Sequence, residues 1–422
     1  MKLMISTAAL ALVAASAPAA AQMNYGPQAT PQQQQPAQQQ SQAAAQPQAQ
    51  KQINISNGAR KAIVDLQTAV NKADYASVPA KVAAAQAVAK TADDKYAIGQ
   101  LALKAAIAQK DNAGETAAID MIANSGFVDA ATSSKLYASL GTTLYNAKQF
   151  PQATAAFQRA VTIDPNNVQV YSLLGEAKFA QGQKAEAAAD FQHAVQIALA
   201  SGQKPDEALL KRGVTVAYDA KSPLAVQLGR EWAAAYPSPD SWRNSIAIYR
   251  NMNHPDVEGT LDLLRLMQAT GSLNSGDYAL FAEAAAEQGN FNEAQAVIDA
   301  GLAAHTINAS DPQFRDVISG LKGKPKATAA DLEAAAKMSP SATNLLRIGD
   351  RYYGMGNYSQ AATVYRQVLS KPDADKDVAN LHLGMALARA GDEAGATAAL
   401  NAVSGPRAQI AEYWLAYVQQ HA

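Results

Sequence analysis

The sequence predicts an all-α fold, an α-solenoid of about ten antiparallel helix pairs closed by a C-terminal capping helix. Three observations carry this prediction. From about Ile53 onward, apolar residues recur three and four positions apart, the spacing of amphipathic helices. Gly, Pro and Asn-Asp clusters interrupt this pattern every 14 to 18 residues. Small residues also return at a period close to 34, which indicates one repeat array rather than several unrelated domains.

The composition excludes several classes of site. The 422 residues carry 35 basic and 36 acidic side chains and no Cys. Disulfides, zinc–thiolate sites, iron–sulfur clusters and cysteine nucleophiles are therefore excluded. A nearly neutral chain without basic blocks is a poor binder of nucleic acid, so we expect no such partner.

Residues 1–21 have the pattern of a secretory signal peptide. Lys2 supplies the positive charge, Leu3 to Val13 form a short apolar core, and Ala19-Ala20-Ala21 precede a cut that leaves Gln22 first. A membrane anchor is the alternative, but the apolar run is well short of the roughly 20 residues that span a bilayer. No later stretch fits a membrane span either. The pattern predicts a periplasmic protein, with an extracellular location as the alternative.

Residues 22–52 are a segment of different composition. Fourteen of these 31 residues are Gln, and Lys51 is the only charged one. Almost no large apolar side chain is present to offset the entropy of ordering, so we expect a disordered leader. Its interpretation as a plain linker is favoured over a spacer that docks to the cell wall.

Residues 53–133 are expected to form two helix pairs that cap the array. The predicted helices are Gly58 to Asn71, Val78 to Lys90, Asp93 to Lys110, and Ala113 to Asn124. Asp93 and Asp94 could suggest paired catalytic carboxylates, but we expect them to cap and charge the start of a helix.

The clearest repeat runs from Ser134 to Asn167. With Ser134 as position 1, the next unit starts 34 residues later at Val168, and both carry the same residue types at positions 4, 7, 8, 20, 24 and 27. These are Tyr137, Leu140, Gly141, Ala153, Phe157 and Ala160, then Tyr171, Leu174, Gly175, Ala187, Phe191 and Ala194. This pattern resembles the tetratricopeptide repeat (TPR) family, which implies stacked helical hairpins and a concave groove lined by the first helices.

The register continues along the chain, with units starting near Asp206, Asp240, Ser275, Ala309, Ala342 and Asp377. It divides the chain into TPR-like repeats at 134–201, degenerate repeats at 202–341 and TPR-like repeats at 342–406. We expect one continuous solenoid, since no long linker interrupts it. The alternative is a boundary between two arrays in the degenerate middle.

Four positions of the repeat have expected structural roles. The small residues at positions 8 and 20 are expected where the two helices of a unit cross, and position 24 is expected between units. Glycines at position 15 suit a turn with positive φ, and Pro165, Pro237 and Pro340 end second helices. The unit 309–341 breaks the small-residue rule with Asp316 and Thr328, so we expect a short first helix and looser packing there.

Residues 407–422 form the predicted capping helix. Ile410, Trp414, Tyr417 and Val418 share one face, which is expected to close the last unit. A membrane-surface helix is the alternative, but with no Lys and one Arg it is disfavoured.

No catalytic, cofactor or metal motif is present in the sequence. Its five His residues lie more than four positions apart, so no HExxH pair exists, and no phosphate loop, GxGxxG helix or GxSxG elbow occurs. Asp373 to Asp377 lack the Gly and Glu of a calcium loop. His193 and His382 are expected to be solvated. The sequence thus predicts a protein that is not an enzyme and that binds no cofactor or metal.

Family resemblance implies that positions 2, 5, 9, 12 and 13 line the groove. The candidate binding residues at these positions are Lys135, Thr142, Tyr145, Asn146, Glu176, Phe179, Tyr218, Asn244, Asn251, Asp350, Tyr353, Met385 and Arg389. Mixed aromatic and polar side chains suit a protein or peptide segment. The Lys and Asn clamp of chaperone-binding members is absent, because positions 5 and 9 are Ala138 and Thr142, then Ser172 and Glu176. The predicted function is an envelope scaffold that binds protein segments; the alternative is a module that binds cell-wall glycan.

Overall fold

The computed structural model describes residues 52–338 and 341–421, so the predicted signal peptide, nearly all of the leader, and Pro340 lie outside the described residues. Within those two ranges the chain forms 21 α-helices, joined by short turns, and no β-strand. Most consecutive helices pack against one another as hairpins, which confirms the all-α solenoid. The chain divides into two compact units, Met1–Gln183 and Lys184–Ala422.

The first unit contains seven described helices. Their bounds are α1 Asn57–Asn71, α2 Val78–Val88, α3 Ala92–Gln109, α4 Asn112–Ala123, α5 Ala130–Asn146, α6 Phe150–Ile163 and α7 Val168–Ala180. A short 3₁₀ turn, Tyr75–Ser77, precedes α2. The four helices predicted before Ser134 are all present, with ends within two residues of the predicted ones. The unit boundary at Gln183 lies inside the segment 134–201, which the sequence treats as one block.

The second unit contains fourteen described helices. They are α8 Lys184–Ala200, α9 Glu207–Asp219, α10 Leu224–Ala235, α11 Pro239–Asn253, α12 Val257–Ala269, α13 Ser275–Glu287, α14 Phe291–Ala303, α15 Pro312–Leu321, α16 Ala329–Met338, α17 Ala342–Gly354, α18 Tyr358–Leu369, α19 Lys376–Ala390, α20 Glu393–Asn401 and α21 Ala408–Gln419. A 3₁₀ turn, Gly405–Arg407, leads into α21.

The start of α3 shows how the acidic pair Asp93-Asp94 is used. Thr91 and Asp94 form a reciprocal capping box at this end of the helix. The carboxylate of Asp94 also accepts hydrogen bonds from the backbone nitrogen and the hydroxyl of Ser56, at 2.9 and 2.8 Å. Asp93 accepts one from the backbone nitrogen of Asn54. The expected capping role is confirmed, and these bonds also fix the segment that leads into α1.

The glycines at position 8 pack against the large residue at position 24 of the same hairpin. A Cβ added at Gly141 would lie 2.5 Å from the ring of Phe157, and one at Gly349 would lie 2.4 Å from the ring of Tyr365. The same close approach brings Gly384 against Leu400. The prediction paired position 8 with position 20 and placed position 24 between units. The structure shows that the ring at position 24 needs the space that the missing Cβ leaves.

The glycines at position 15 have the expected backbone conformation. Gly182, Gly289, Gly323, Gly356 and Gly391 all have φ between 70° and 81°. Three units lack this glycine and place another residue in the left-handed region instead. In the unit that starts at Asp206 this residue is Lys221, at position 16, and in the other two it stands at position 15. Lys148 has φ of 59° and His254 has φ of 45°. A β-carbon is strained in this region, so these two turns are less favourable than their glycine counterparts.

Helix α15 packs on α13 and α14, whereas α16 packs on α17. Each of these two helices has only 10 residues, and their buried side chains are Phe314, Leu321 and Leu332. Helix α14 packs directly on α17, although α15 and α16 lie between them in the chain. The β-carbon of Glu293 would lie 2.5 Å from a Cβ at Gly354. The expectation of a short first helix is confirmed.

Helix α21 closes the second unit on itself. It packs on α19 and α20, as expected of a cap, and also on α10, α11 and α12. The Tyr413 hydroxyl lies 2.9 Å from that of Ser245 in α11, and the Trp414 indole nitrogen donates to the carbonyl of Asp262 in α12. Both rings are fully buried. A membrane-surface role for this helix is excluded, because its apolar face is used within the protein.

Among the helices of residues 52–338 and 341–421, none combines the length and the apolarity that crossing a bilayer requires.

Candidate functional site

The face shared by α5 and α7 carries a repeated aromatic pair. Tyr145 and Phe179 both stand at position 12 and are 34 residues apart. The two helices contact each other, and each aromatic side chain is partly exposed. The ring of Tyr145 packs edge-on against Phe150 at 5.3 Å between centroids, which limits its rotation. The first unit therefore presents two ordered aromatic side chains at equivalent places in neighbouring repeats.

The other predicted residues of this face are polar. Lys135 and Asn146 are exposed at the two ends of α5, while Thr142 is half-buried and donates to the carbonyl of Ala138 at 3.0 Å. Glu176 stands in α7 at the position that Thr142 holds in α5, and it is also half-buried. A spacing of three and four residues puts the α5 members on one side of that helix. The six predicted residues of the first unit therefore form one mixed face, which we call the α5–α7 face.

In the second unit, four predicted groove residues lie at the surface. The Tyr218 side chain is 44 % exposed, Asn244 and Asn251 are exposed, and Arg389 is partly exposed. The guanidinium of Arg389 lies 5.0 Å from the ring centre of Tyr358.

The other three predicted residues of the second unit do not lie on an open groove. Tyr353 and Met385 are buried, at 5 % and 0 % exposure, and Asp350 keeps 20 % of its side chain exposed. The Tyr353 ring lies under the guanidinium of Arg265 at 5.0 Å and against the edge of Tyr358. These residues are covered because α12 and α14 pack over the side of α17 and α19 that a groove would leave open. Tyr353 and Met385 are therefore not available to a partner in this conformation.

Five charged residues from four helices meet at this place, and we call them the buried charge cluster: Asp262, Arg265, Glu293, Asp350 and His382. Arg265 binds Glu293 with two parallel hydrogen bonds of 2.8 and 2.9 Å and reaches Asp262 at 3.2 Å. Its side chain is 2 % exposed. Burial disfavours the charged form of Arg265, but the surrounding carboxylates outweigh this effect and raise its pKa well above the usual range.

His382 lies between two carboxylates of the buried charge cluster. Its Nε2 is 3.2 Å from Asp262 and its Nδ1 is 2.9 Å from Asp350, although neither contact has the alignment of a hydrogen bond. Burial alone lowers the pKa of His382, but Asp350 and Asp262 together raise it to about 10. The residue is 1 % exposed, so the expectation of a solvated histidine is wrong. His382 stands at position 6 of its repeat and is covered by α12. The spacing of residues within α19 does not predict this contact.

Polar neighbours complete the buried charge cluster. The Tyr365 hydroxyl donates to Asp350 at 2.7 Å, and the Asn290 amide donates to Glu293 at 2.8 Å. Burial raises the pKa of Asp350, but His382 and Arg265 outweigh it and hold this pKa below its usual range. A cavity of about 20 Å³ beside the cluster has room for one water molecule. The cluster thus ties α12, α14, α17 and α19 together and leaves no space for a substrate.

The sequence contained one signal for the cluster. Asp262 and Arg265 interrupt a run in α12 whose other members, Leu261, Leu263, Leu264, Leu266 and Met267, are all buried. A helix that is apolar all round is buried all round, so charges within it need buried partners. The identity of those partners depends on helices that are distant in sequence. In the described part of the chain, no group of three His, Cys, Asp or Glu residues is arranged to hold a metal ion.

Stacked helical hairpins with close position-8 contacts define an α-helical repeat protein of the solenoid class. Family models described as TPR repeat and tetratricopeptide repeat match residues 141–182, 168–200 and 346–409. These three segments are similar to tetratricopeptide repeats. The first two run from the C-terminal part of α5 to the end of α8 and include most of the α5–α7 face. No curated protein matches the sequence.

Solved structures give more distant similarities, each at 12 % identity and a TM-score of 0.25. PilF of Pseudomonas aeruginosa aligns with 62 % of this chain and 97 % of its own. A tetratricopeptide repeat protein from Parabacteroides merdae aligns with 79 % of this chain and 100 % of its own. The C-terminal part of a TPR repeat-containing protein from Cytophaga hutchinsonii aligns with 76 % and 98 %. A superposition score of this size carries no information on function.

Proposed function

We propose that this protein is a non-enzymatic scaffold of the bacterial cell envelope that binds a protein segment on the α5–α7 face. The observation that carries the proposal is the recurrence of Tyr145 and Phe179 at position 12 of adjoining repeats, both partly exposed and within one compact unit. Aromatic side chains are enriched among the residues that dominate protein interfaces, and they lose little conformational entropy on binding.

The polar residues of the α5–α7 face favour an extended peptide or a helix as the occupant. Thr142 and Asn146 offer hydrogen-bonding groups on this face, and Lys135 adds one positive charge. An apolar centre with a polar rim is the usual composition of a transient interface. In the second unit, Tyr353 and Met385 at the equivalent positions are buried within the protein, and position 12 of the unit starting at Asp240 carries Asn251 instead of an aromatic side chain. The α5–α7 face is therefore the favoured place for a partner.

Binding on this face is tested by capture of partners from a periplasmic extract. The double variant Tyr145→Ala, Phe179→Ala should lose at least about tenfold of any captured protein, because two interface aromatics typically contribute more than 1 kcal/mol each. Leu199→Ala is the matched control, since Leu199 is an apolar side chain with 44 % exposure outside the predicted groove. Equal capture by the double variant and the wild type would contradict binding on the α5–α7 face.

The envelope location rests on the pattern of Lys2, Leu3 to Val13 and Ala19-Ala20-Ala21. Export with cleavage predicts that the mature protein begins at Gln22. Intact-mass measurement of the protein from the periplasmic fraction of a bacterial host tests this. An uncut chain recovered from the cytoplasm would contradict the proposal, and replacing the three alanines by larger residues should block cleavage of an exported chain.

A further inference from the structure

A cavity of about 360 Å³ opens between α2, α3 and α4, in the first unit but outside the matched repeats. It is lined by Gln86, Ala89, Lys95, Asp120, Met121 and Asn124. Its volume lies at the lower end of the range of small-ligand and peptide pockets, which begins at about 300 Å³. It has room for one large side chain together with the backbone on either side.

The wall of this cavity is apolar at one place and carries amides at its edges. Met121 and Ala89 supply the apolar surface, and a thioether adapts its shape to different side chains. The Gln86 amide nitrogen donates to the Met121 sulfur at 2.8 Å. Sulfur is a weak acceptor, so this amide gains by exchanging it for a carbonyl oxygen. The exposed Asn124 at the end of α4 is a second amide that can pair with peptide groups.

The two charged side chains that line the cavity, Asp120 and Lys95, differ in their ion pairing. The carboxylate of Asp120 is engaged on its other side, where it pairs with Arg159 and accepts a hydrogen bond of 2.9 Å from the Tyr137 hydroxyl. Burial and this carboxylate raise the pKa of Tyr137 to about 12, so its hydroxyl stays protonated as a donor. Lys95 has no ion-pair partner among residues 52–338 and 341–421, and its side chain is exposed at the cavity. One positive charge therefore remains for a ligand to neutralise.

We propose that this cavity binds an extended peptide segment that places one apolar side chain on Met121 and an adjacent carboxylate beside Lys95. The Gln86 and Asn124 amides hydrogen-bond the peptide backbone on either side of the apolar residue. This site lies on helices that carry no repeat signature, so it is separate from the α5–α7 face and adds a second contact point for a partner. A negative result at this cavity would not contradict binding on the α5–α7 face, because the two sites share no residue.

Fluorescence anisotropy with labelled hexapeptides tests the proposal on the mature full-length chain. The probes are Ala-Ala-Leu-Asp-Ala-Ala, the same peptide with Lys in place of Asp, and the same peptide with Ala in place of Leu, all with blocked termini. The Leu-Asp peptide should bind at least about tenfold more tightly than the peptide without Leu, which corresponds to burial of one apolar side chain. It should also bind about fivefold more tightly than the Leu-Lys peptide at low salt.

Two charge-reversal variants on α3 distinguish the site from general attraction. Lys95→Glu should reverse the preference between the Leu-Asp and Leu-Lys peptides. Lys104→Glu is the matched control, since it changes an exposed lysine nine residues away on the opposite side of the same helix and should keep the wild-type preference. Tyr145→Ala should also keep it. Equal binding of all three peptides, or an unchanged preference in Lys95→Glu, would overturn the proposal.

Discussion

Positions 9 and 12 of the repeat are partly exposed in α5 and α7, whereas position 12 of α17 and position 9 of α19 are buried. Thr142, Tyr145, Glu176 and Phe179 form a face in the first pair of helices. Asp350 and Tyr353 in α17 lie against Arg265 of α12, and Met385 in α19 is 0 % exposed. Both regions match TPR family models. The difference shows that the repeat register sets where each helix lies but does not determine which elements pack on it.

The largest effect is expected from removing the central cation of the buried charge cluster. Arg265→Ala leaves Glu293 and Asp262 without their partner in a buried place, and it should lower the free energy of unfolding by about 3–5 kcal/mol. Urea titration followed by Trp fluorescence measures this. The chain has three Trp residues, Trp232, Trp242 and Trp414, all buried and all in the second unit, so the signal reports on that unit.

Arg159→Ala is the matched control in the first unit. Arg159 pairs with Asp120, but its side chain is 51 % exposed, so removing it should cost no more than about 1 kcal/mol. Circular dichroism follows this change, since the first unit contains no Trp. Comparable losses in the two arginine variants would refute the contrast between a covered and an exposed ion pair.

The position-8 glycines should be equally sensitive in both regions. Gly141→Ala and Gly349→Ala each place a methyl group within 2.5 Å of an aromatic ring, and we expect each to cost about 1–3 kcal/mol from overpacking. Gly320→Ala is the control, because nothing lies within 4 Å of its added Cβ, and it should be neutral or stabilising by up to about 1 kcal/mol. Thermal unfolding compares the three. A neutral Gly349→Ala would mean that Tyr365 moves aside easily.

The second unit should lose stability in alkaline solution through His382. Its folded-state pKa of about 10 lies above the unfolded value near 6.5, so the folded state keeps a proton that the unfolded state releases. The stabilisation is complete below pH 6.5 and is lost as the pH rises toward 10, at about 1.4 kcal/mol per pH unit for a single group.

His382→Gln isolates this contribution. The difference in free energy of unfolding between wild type and variant, followed by Trp fluorescence from pH 6 to 10, should shrink as the pH rises. A constant difference over that range would show that His382 is not charged in the folded protein.

The smallest effect concerns the two turns in which a residue with a β-carbon holds positive φ at position 15. Lys148→Gly in the first unit and His254→Gly in the second should each raise the free energy of unfolding by about 0.5–1 kcal/mol, because glycine adopts positive φ without strain. Gly356→Ala tests the same effect with the opposite sign. Chemical denaturation measures all three, and destabilisation by both glycine variants would show that the Lys148 and His254 side chains make contacts that outweigh the strain.

The sequence predicts the features that depend on local spacing. The helices upstream of Ser134, the glycines at positive φ and the short helices of the 309–341 hairpin each follow from residues within one turn or one hairpin. The partner of Gly349 was misassigned, because positions 20 and 24 lie on the same side of the second helix and only the packing shows which one reaches the glycine.

The buried charge cluster could not be predicted from spacing. Asp262, Glu293, Asp350 and His382 are separated by 31 or more residues. Glu293, Asp350 and His382, each taken alone, resemble ordinary surface charges of a helix, and the apolar run around Asp262 does not indicate which residues it meets. Their meeting depends on α14 packing on α17 and on α12 packing over α19, contacts that skip neighbours in the chain. For the candidate site the repeat spacing selected the residues of the α5–α7 face, but it assigned Tyr353 and Met385 to a groove that the second unit does not leave open.

The closure by α21 has a consequence for how the chain reaches its native state. A linear repeat array folds through contacts between neighbours and can begin anywhere along its length. Helix α21 instead joins residues far apart in sequence, since Tyr413 and Ser245 are separated by 168 positions and Gln420 and Ala233 by 187. Contacts of this range carry a large loop-closure entropy and slow the search for the native arrangement. During synthesis the surfaces of α10 to α12 that pack on α21 therefore stay open until α21 has been added.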